Sequence, residues 1–434
     1  MRIQEHVLLK NLTTLKIGGT ARYFCAVETA QELREAFVFA KTKKKPVVIL
    51  GGGSNVLIAN GEINALVVKV NIRGVEWMSY SPLEKGALPS SAGGMSGPSF
   101  IKEVTTPASA PTTPSRRLDT PPRAGGVGGA PFAKGDDTEL VVAGAGESWD
   151  ALVAQAVGRG LWGVENLSGI PGTVGAAPIQ NIGAYGTEVK NTIEWVEVFD
   201  TKTGKSKKFS NEKCEFGYRD SIFKHPEGKS LIVTRVALRL KKSGTPNLEY
   251  KDLKNYFGRG EQESRTPPPF QGGDKRGGSF PSLEEIRRAV LEIRSKKFPD
   301  LREFGTAGSF FKNPVISKEK FDELKKKFPN LPGFELRIKP ARLQPDRIVL
   351  AGNSRSGGGE GLKIKIPLAW ILDNVCGLKG YRKGDVALFE QQPVVLVNFG
   401  NASAKEIQAF AKEVSLCVKE KTDIEIEWEV QSIC

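Results

Sequence analysis

Histidine is almost missing from this sequence, which has only His6 and His225 among its 434 residues. Sites that need several imidazole ligands are therefore excluded. The five cysteines are odd in number and widely spaced, with no CxxC pair. This usage favours neither a disulfide framework nor a zinc site, and it fits a reducing cytoplasm. We expect no metal centre and a cytoplasmic protein.

Long apolar runs are also lacking. No stretch approaches the roughly 18 consecutive apolar residues that a membrane-spanning helix needs. The first residues, MRIQEHVLLKNLTTLKIGG, contain a short apolar patch but no extended hydrophobic segment of the kind found in export signals. We therefore expect neither membrane insertion nor export. The composition, with 39% hydrophobic and 26% charged residues, is that of an ordinary globular protein.

The charge is unbalanced towards the positive side, with 63 Lys+Arg against 49 Asp+Glu and a net charge of +14. The lysines are dispersed, in short clusters such as residues 205–208 and 325–327. No zinc-finger spacing, heptad-backed basic region or aromatic RNP pattern accompanies them. A solvated cationic surface is therefore favoured over a nucleic-acid partner, although phosphorylated small molecules would also suit it.

Three segments depart from globular composition. Residues 79–137 are rich in Ser, Thr, Pro, Gly and Ala and show no apolar period, which predicts a disordered low-complexity insertion. Shorter stretches of this kind cover residues 258–280 and 352–361, and we interpret them as loop insertions. Between them, strands and helices alternate without a strict βαβ repeat, so the predicted fold class is α+β.

Hydrophobic periodicity places the main elements. Strands are predicted at residues 46–50, 56–58, 65–70, 140–143, 193–200, 230–241 and 423–430, and helices at 29–42, 148–158, 283–297 and 404–419. The wholly apolar segment at 46–50 (PVVIL) is typical of a buried strand. Thr29 and Ser148 are the expected N-caps of the first two helices.

Two glycine-rich segments could hold a ligand. The first, LGGGSNV at residues 50–56, follows an apolar strand, and its glycines permit a tight turn or a backbone cradle for an anion. The motif alone does not separate these two interpretations. The second, residues 166–186, combines many small residues with few charges, which favours a close approach to an extended ligand. Gln180, Asn181 and Tyr185 could add polar or stacking contacts there.

Nucleotide motifs of other folds are not supported. The GKS tripeptides at residues 204–206 and 228–230 lack the first P-loop glycine, whose places are taken by Phe199 and Phe223. The GxG at residues 144–146 ends in Trp149 where a Rossmann glycine would stand. Any nucleotide cofactor must be held by another architecture.

Several polar residues are candidates for chemistry. Arg219 could form a fork for a carboxylate, or simply a structural ion pair with Asp220. Ser309 follows a glycine but has no neighbouring histidine and no GxSxG elbow, so it is no hydrolase nucleophile, although it could donate a proton. Glu425, Glu427 and Glu429 share one face of the last predicted strand. Such a row is normally solvated, and only one member would need to point inward to act.

These segments together closely resemble the UDP-N-acetylenolpyruvoylglucosamine reductase family of flavoenzymes. The resemblance runs in order through residues 11–18, 50–57, 165–186, 214–224, 305–314, 369–380 and 426–430. It implies a two-part FAD-binding domain of the vanillyl-alcohol-oxidase (PCMH) type at residues 1–78 and 138–245. A substrate-binding α+β domain would follow at 246–434. It also implies FAD and NADPH as cofactors and UDP-N-acetylglucosamine enolpyruvate as the substrate.

The resemblance also assigns residues. Arg219 and Glu429 would stabilise charge on the substrate carboxylate, and Ser309 would donate the proton. Tyr218, Tyr250, Lys297 and Asn313 would contact the substrate, with Tyr250 on a loop that closes over it. The residues expected at the cofactor are Gly51, Gly52, Gly53, Ser54, Asn55, Ile170, Gly172, Gly175, Ala176, Asn181, Gly183 and Tyr185.

Two other functions are possible on the residues. A related flavin-dependent oxidase is one, but many of these attach flavin through histidine, and neither His6 nor His225 lies in a glycine-rich loop. A basic scaffold for nucleic acid is the other, and it would show steep salt dependence and no flavin. We expect a monomer that acts on a small molecule and binds no nucleic acid.

Overall fold

The computed structural model describes residues 1–80, 137–258, 280–336 and 362–433. The insertions predicted at residues 79–137 and 258–280 lie almost wholly outside the described residues, and the one at 352–361 lies entirely outside them. The predicted α+β class is confirmed by mixed sheets and helices.

The N-terminal part is a four-stranded sheet with a helix on one side. Its order is β1-β2-β5-β3, in which β1 is antiparallel and the other pairs are parallel. Thr29 caps the helix as predicted, because its side chain accepts a hydrogen bond from Glu32 N. The elements are β1 (Gln4–Leu8), β2 (Thr20–Val27), α1 (Ala30–Thr42), β3 (Val47–Leu50), β4 (Val56–Ile58) and β5 (Glu62–Val70).

The prediction of a buried strand at residues 46–50 is wrong in one respect. A strand forms, but β3 lies at the edge of the sheet, and only Leu50 is buried. Ile49 is 38% exposed and lines a cleft described below. Part of this apolar run therefore lines an open cleft, and part of it packs in the core.

The second part is a five-stranded antiparallel sheet of order β11-β10-β12-β7-β6. It is backed by α2, which Ser148 caps as predicted by accepting a hydrogen bond from Ala151 N. Trp149 at the start of this helix is fully buried in the core between the sheets. The elements are β6 (Val75–Tyr80), β7 (Thr138–Gly144), α2 (Trp149–Gly158), β8 (Gly183–Ala184), β9 (Thr187–Glu188), β10 (Ile193–Asp200), β11 (Lys205–Ser210) and β12 (Leu231–Lys241).

The edges of the first insertion differ from the expected ones. Ser79 and Tyr80 continue β6 and pair with Glu139 and Thr138 of β7. Residues 81–136 thus connect the adjacent ends of two paired strands. Because the cost of closing a loop grows only slowly with its length, a long connection is tolerated at such a place.

The C-terminal part contains the sheet β13-β19-β18-β17 and a small sheet β14-β16-β15. Capping boxes begin α4 at Ser282 and α7 at Ser403. The elements are α3 (Lys251–Gly258), α4 (Leu283–Lys297), β13 (Gly305–Ser309), β14 (Val315–Ser317), α5 (Lys318–Lys327), β15 (Phe334–Leu336), β16 (Lys363–Lys365), α6 (Leu368–Trp370) continued by a π-helical turn (Ile371–Val375), β17 (Arg382–Lys383), β18 (Val386–Phe389), β19 (Gln392–Asn398), α7 (Ala404–Thr422) and β20 (Gln431–Ile433).

The final strand predicted at residues 423–430 is wrong. Asp423 adopts a left-handed conformation that ends α7, and the following segment forms only an isolated bridge between Trp428 and Phe311. The last strand is β20, which pairs in parallel with β4 of the N-terminal sheet. The alternation of apolar and polar side chains correctly indicated an extended chain. It could not show that this segment lacks a continuous partner strand.

No helix in the four described ranges is both long and apolar enough to cross a membrane.

Candidate active site

A cleft of about 380 Å³ lies between the first two sheets. One wall is the turn after β3, the opposite wall is the loop at residues 170–177, and the floor is the start of β12. Its size is typical of a site for a small molecule or cofactor. The predicted cofactor residues on its walls are Gly51, Gly52, Gly53, Ser54, Asn55, Ile170, Gly172, Gly175 and Ala176.

The turn at residues 51–55 presents free backbone donors. Its amide N–H groups donate to no acceptor among the residues that the structure describes. Its carbonyls are used, since Gly53 O accepts from Thr14 N at 3.0 Å and Asn55 O accepts from Gln431 N at 3.1 Å. A run of unpartnered amides facing a cleft is an anion site. This favours the cradle interpretation over a plain tight turn.

The glycines also allow the loops to touch one another. A Cβ atom on Gly53, whose φ is +65°, would lie 1.9 Å from Leu12 O, and one on Gly52 would lie 2.9 Å from Gly172 Cα. Ser54 Oγ donates to Pro171 O at 3.0 Å. The small residues therefore bring two backbone loops together. The sequence had suggested a tight turn or the approach of a ligand, but not contact between the two loops.

Three of the residues predicted at the cofactor lie outside the lining of the cleft. Asn181 is fully buried, and its amide donates to Gly217 O and Glu188 Oε2 while its oxygen accepts from Lys190 N. Tyr185 packs against α3 and α4, and burial raises its pKa to about 12. Their contact with a cofactor stays a prediction. The contacts of Asn181 and Tyr185 instead indicate that these two side chains hold the glycine-rich loop at residues 166–186 in place.

Gly183, the third of these residues, connects that loop to Arg219. The guanidinium Nη2 of Arg219 donates to Gly183 O at 2.7 Å. Its Nε lies 3.2 Å from Glu429 Oε1, but the Nε–H is buried and makes no hydrogen bond with it. Arg219 therefore does not form the structural ion pair with Asp220 that the sequence left open. Instead it offers a donor that is still free.

Of the three glutamates in the alternating segment, Glu429 is the one whose side chain points inward. It is buried, whereas the side chains of Glu425 and Glu427 are 79% and 75% exposed. Burial raises the pKa of Glu429, while the charges of Arg219, Lys224 and Lys312 oppose that rise. Its backbone N–H donates to Phe310 O at 2.8 Å. The carboxyl is thus held in a dry site beside an arginine.

Ser309 ends β13 immediately before Phe310, so it lies one residue from the contact that fixes Glu429. The ladder between β13 and β19 is irregular between Thr306 and Ser309, and Gly308 has a φ of +74°. Such an irregularity re-aims a side chain. Ser309 is half-buried.

The predicted substrate residues fall around this centre. The Tyr218 hydroxyl hydrogen-bonds with Asn313, whose Oδ1 accepts from Leu368 N at 2.9 Å. Tyr250 is 45% exposed and packs edge-on against Tyr185, with the ring centroids 5.4 Å apart. Lys297 Nζ is paired with Asp252 at 2.5 Å. Lys297 is therefore linked to the start of α3, whereas Tyr250, which directly precedes α3, lies within electrostatic range of both Tyr218 and Arg219.

Two lysines at this centre were not identified from the sequence. Lys365 Nζ lies 5.1 Å from the centroid of the Tyr218 ring, and burial lowers its pKa. Lys224 Nζ donates to Arg219 O at 3.0 Å. Lys365 lies in an ordinary alternating strand and gives no signal. Lys224 stands inside the quoted segment at residues 214–224, but dispersed lysines elsewhere in the chain made it unremarkable.

Comparison with known proteins identifies the chain. Residues 300–433 match the C-terminal domain of UDP-N-acetylenolpyruvoylglucosamine reductase, and residues 133–210 match an FAD binding domain. The reductase of Flavobacterium johnsoniae is 32% identical over the full length of both chains. This chain belongs to the UDP-N-acetylenolpyruvoylglucosamine reductase family.

Further similarities agree with this assignment. The reductase of Chromobacterium violaceum is 33% identical over 98% of both chains. A solved UDP-N-acetylenolpyruvylglucosamine reductase from Thermus caldophilus shares the fold with a TM-score of 0.53 and 23% identity, and the match covers 100% of each chain. The two-part FAD-binding fold and the family predicted from the sequence are confirmed.

Members of the UDP-N-acetylenolpyruvoylglucosamine reductase family use FAD and NADPH to reduce an enolpyruvyl sugar nucleotide in peptidoglycan synthesis. The residues present here fit FAD. The free amides at residues 51–55 suit a pyrophosphate, and the apolar wall from β12 suits a flat ring system. Membership of this family also decides against the oxidase and the nucleic-acid scaffold considered above.

Proposed function

We propose that this chain reduces UDP-N-acetylglucosamine enolpyruvate to UDP-N-acetylmuramate, with Arg219, Glu429 and Ser309 acting on the enolpyruvyl group. The observation that carries the residue assignment is the pairing of Arg219 with the buried Glu429. Its 3.2 Å approach leaves the Nε–H of Arg219 without an acceptor. A buried donor without a partner is costly, so this site is built for an anion that arrives with the substrate.

The turn at residues 51–55 and the loop at residues 170–177 would hold FAD, which when reduced by NADPH would supply a hydride to the methylene carbon of the enolpyruvyl group. Negative charge then develops on the adjacent carbon and spreads into the carboxylate. Arg219 offers its free Nε–H to that carboxylate, and its bond to Gly183 O fixes the plane of the guanidinium. In a dry site such a preorganised donor is worth far more than it would be in water.

Glu429 acts as a hydrogen-bond donor in this scheme. Its burial favours the neutral carboxyl more than water would, which is the sense of its raised pKa. A neutral carboxyl can donate to an oxygen on which charge develops, whereas an ionised carboxylate would repel it. Glu425 and Glu427 are exposed and take no part.

Ser309 supplies the proton that completes the reduction. A carbon that bears developing negative charge next to a carboxylate is basic enough to take a proton even from a hydroxyl group. The register shift between Thr306 and Ser309 supports this role, because such an irregularity re-aims the side chain that follows it. Tyr218 and Asn313 are proposed to bind the substrate beside it, and Tyr250 and Lys297 to do so from the α3 side.

The Ser309→Ala variant tests the assignment. Loss of a general acid typically costs about 10² to 10⁴ in rate, so turnover of the enolpyruvyl substrate should fall by that factor. Reduction of the flavin by NADPH, followed in a stopped-flow instrument by loss of flavin absorbance, should keep its rate. The exposed Ser432→Ala is the matched control. Equal loss in both half-reactions would contradict the proposal.

We also propose a monomeric, cytoplasmic protein. Cys25, Cys214 and Cys376 are buried free thiols, which suits a reducing compartment. Light scattering on a size-exclusion column tests the monomer, and cell fractionation tests the location.

A further inference from the structure

Arg219 adopts a backbone conformation that arginine seldom takes. Its φ is +52°, in the left-handed region. A residue with a Cβ atom keeps such a conformation only when its surroundings hold it there. At the far end of the side chain, Gly183 O accepts from Nη2. The side-chain contact that reaches the Arg219 backbone comes from Lys224.

Lys224 ends a short 3₁₀ turn, Ile222–Lys224, that folds back towards Arg219. Its Nζ donates to Arg219 O at 3.0 Å. A hydrogen bond from a cation to a carbonyl is stronger than a neutral one, and this ammonium is half-buried, so water competes poorly for it. The contact fixes the peptide that follows the left-handed residue, and hence the direction in which the guanidinium leaves the backbone.

The same ammonium acts on the carboxyl of Glu429. Burial lowers the pKa of Lys224, whereas the charges of Asp220, Glu429 and Glu427 raise it and that of Lys312 lowers it further. Three of these neighbours have other partners, since Lys312 is paired with Glu427 at 2.6 Å and Asp220 contacts His225 at 2.9 Å. The cations that face Glu429 are Arg219, Lys224 and Lys312.

We infer that Lys224 is a positioning residue for the reaction, which holds Arg219 in its left-handed conformation and supplies part of the positive field at Glu429. This inference rests on the proposed roles of Arg219 and Glu429. Lys224 itself does not need to touch the substrate. Replacement of Lys224 should therefore change both the plateau value of kcat and the dependence of kcat on pH.

The Lys224→Met variant tests this inference on the FAD-loaded enzyme. The value of kcat should fall about 10- to 100-fold, the range expected for one hydrogen bond to a charged group. Reduction of the flavin by NADPH should stay within about twofold of the wild-type rate, since Lys224 does not line the cleft. Lys224→Arg keeps the charge and a donor and should recover most of the loss. Lys213→Met, which replaces an exposed lysine directly before the segment at residues 214–224, is the matched control.

The pH profile separates positioning from a general loss of structure. The limb of the kcat profile that disappears in Glu429→Gln belongs to Glu429. Removing the positive charge of Lys224 raises the pKa of Glu429, so this limb should move to higher pH, by about half a pH unit or more. Lys312→Met should move the limb in the same direction but leave the plateau nearly unchanged, because its Nζ does not hold Arg219.

Two results would overturn the inference. One is a Lys224→Met enzyme with the wild-type plateau and the wild-type limb. The other is a lower plateau with an unmoved limb and no recovery in Lys224→Arg, together with a lower melting temperature, which would mean a purely structural role. If instead Arg219→Lys and Glu429→Gln both keep full activity, it is the proposed function that fails.

Discussion

Replacement of Gly53 by alanine tests whether the turn after β3 is built as an anion cradle. The new methyl group would lie 1.9 Å from the carbonyl oxygen of Leu12, a backbone atom that cannot rotate away. Gly53 also has a φ of +65°, which costs alanine about 1–2 kcal/mol. Relief of the overlap must move either the strand-to-strand turn or the segment before Thr13.

Gly384→Ala provides a matched control for the backbone term. Gly384 has a nearly equal φ of +60°, but nothing lies within 4 Å of its added Cβ. Gly384→Ala should therefore lower the free energy of unfolding by the backbone cost alone, about 1–2 kcal/mol. Overpacking adds about 1–3 kcal/mol, so Gly53→Ala should lose about 2–5 kcal/mol in free energy of unfolding. The excess over the control measures the clash alone.

Urea unfolding of the two apoproteins gives these free energies, and flavin fluorescence titration gives the FAD affinity. We expect Gly53→Ala to raise the Kd for FAD at least tenfold, since its shifted turn misplaces the free amides at residues 51–55. The Kd of Gly384→Ala should not change. If Gly53→Ala binds FAD as the wild type does and unfolds at the same urea concentration as Gly384→Ala, the cradle does not depend on that close approach.

Two further predictions concern contacts at the edges of the cleft. Burial alone would raise the pKa of Asp150, but its hydrogen bonds to Arg287 and Gly169 N outweigh burial and lower that pKa. Asp150→Asn should therefore lower the free energy of unfolding by about 1–2 kcal/mol at pH 7. This figure is already reduced for solvent screening, because Asp150 is a third exposed. The loss in urea unfolding should shrink only as the pH falls below 3.8, the ordinary value, and through the lowered native pKa of Asp150, and a loss that stays constant there would contradict the prediction. Asn55→Ala removes the bonds to Gln180 Oε1 at 2.6 Å and Glu429 O at 3.1 Å, and should lower kcat about tenfold; unchanged steady-state kinetics would contradict it.

Local signals in the sequence were sufficient for most elements of the fold. The helices that begin after Thr29 and Ser148 start where their caps predicted, because a cap is chosen by the next few residues alone. The glycine-rich turn at residues 51–55 was located for the same reason. Its free amides, however, could be recognised only when the surrounding carbonyls were placed.

Features that depend on distant partners could not be predicted. Tyr185 sits in a glycine-rich loop, yet its ring packs against helices some hundred residues further along the chain. Lys365 reaches the Tyr218 ring from a separate small sheet. Neither contact has a local signal, because periodicity reports which face of an element is buried and not what covers it. For the same reason, no local pattern indicated that β3 is an edge strand.

The course of the chain after α7 explains how the carboxyl of Glu429, for which we propose a catalytic role, is kept in register with the cleft. Glu429 N donates to Phe310 O, next to Ser309, and two residues later Gln431 N donates to Asn55 O in the glycine-rich turn. A single long strand through residues 423–433 would stay beside one partner. The observed segment leaves β13's end and joins β4 instead. Glu429 is therefore held both by the end of β13 and by the turn at residues 51–55, so that a shift of this turn must also move the carboxyl that we propose faces the substrate.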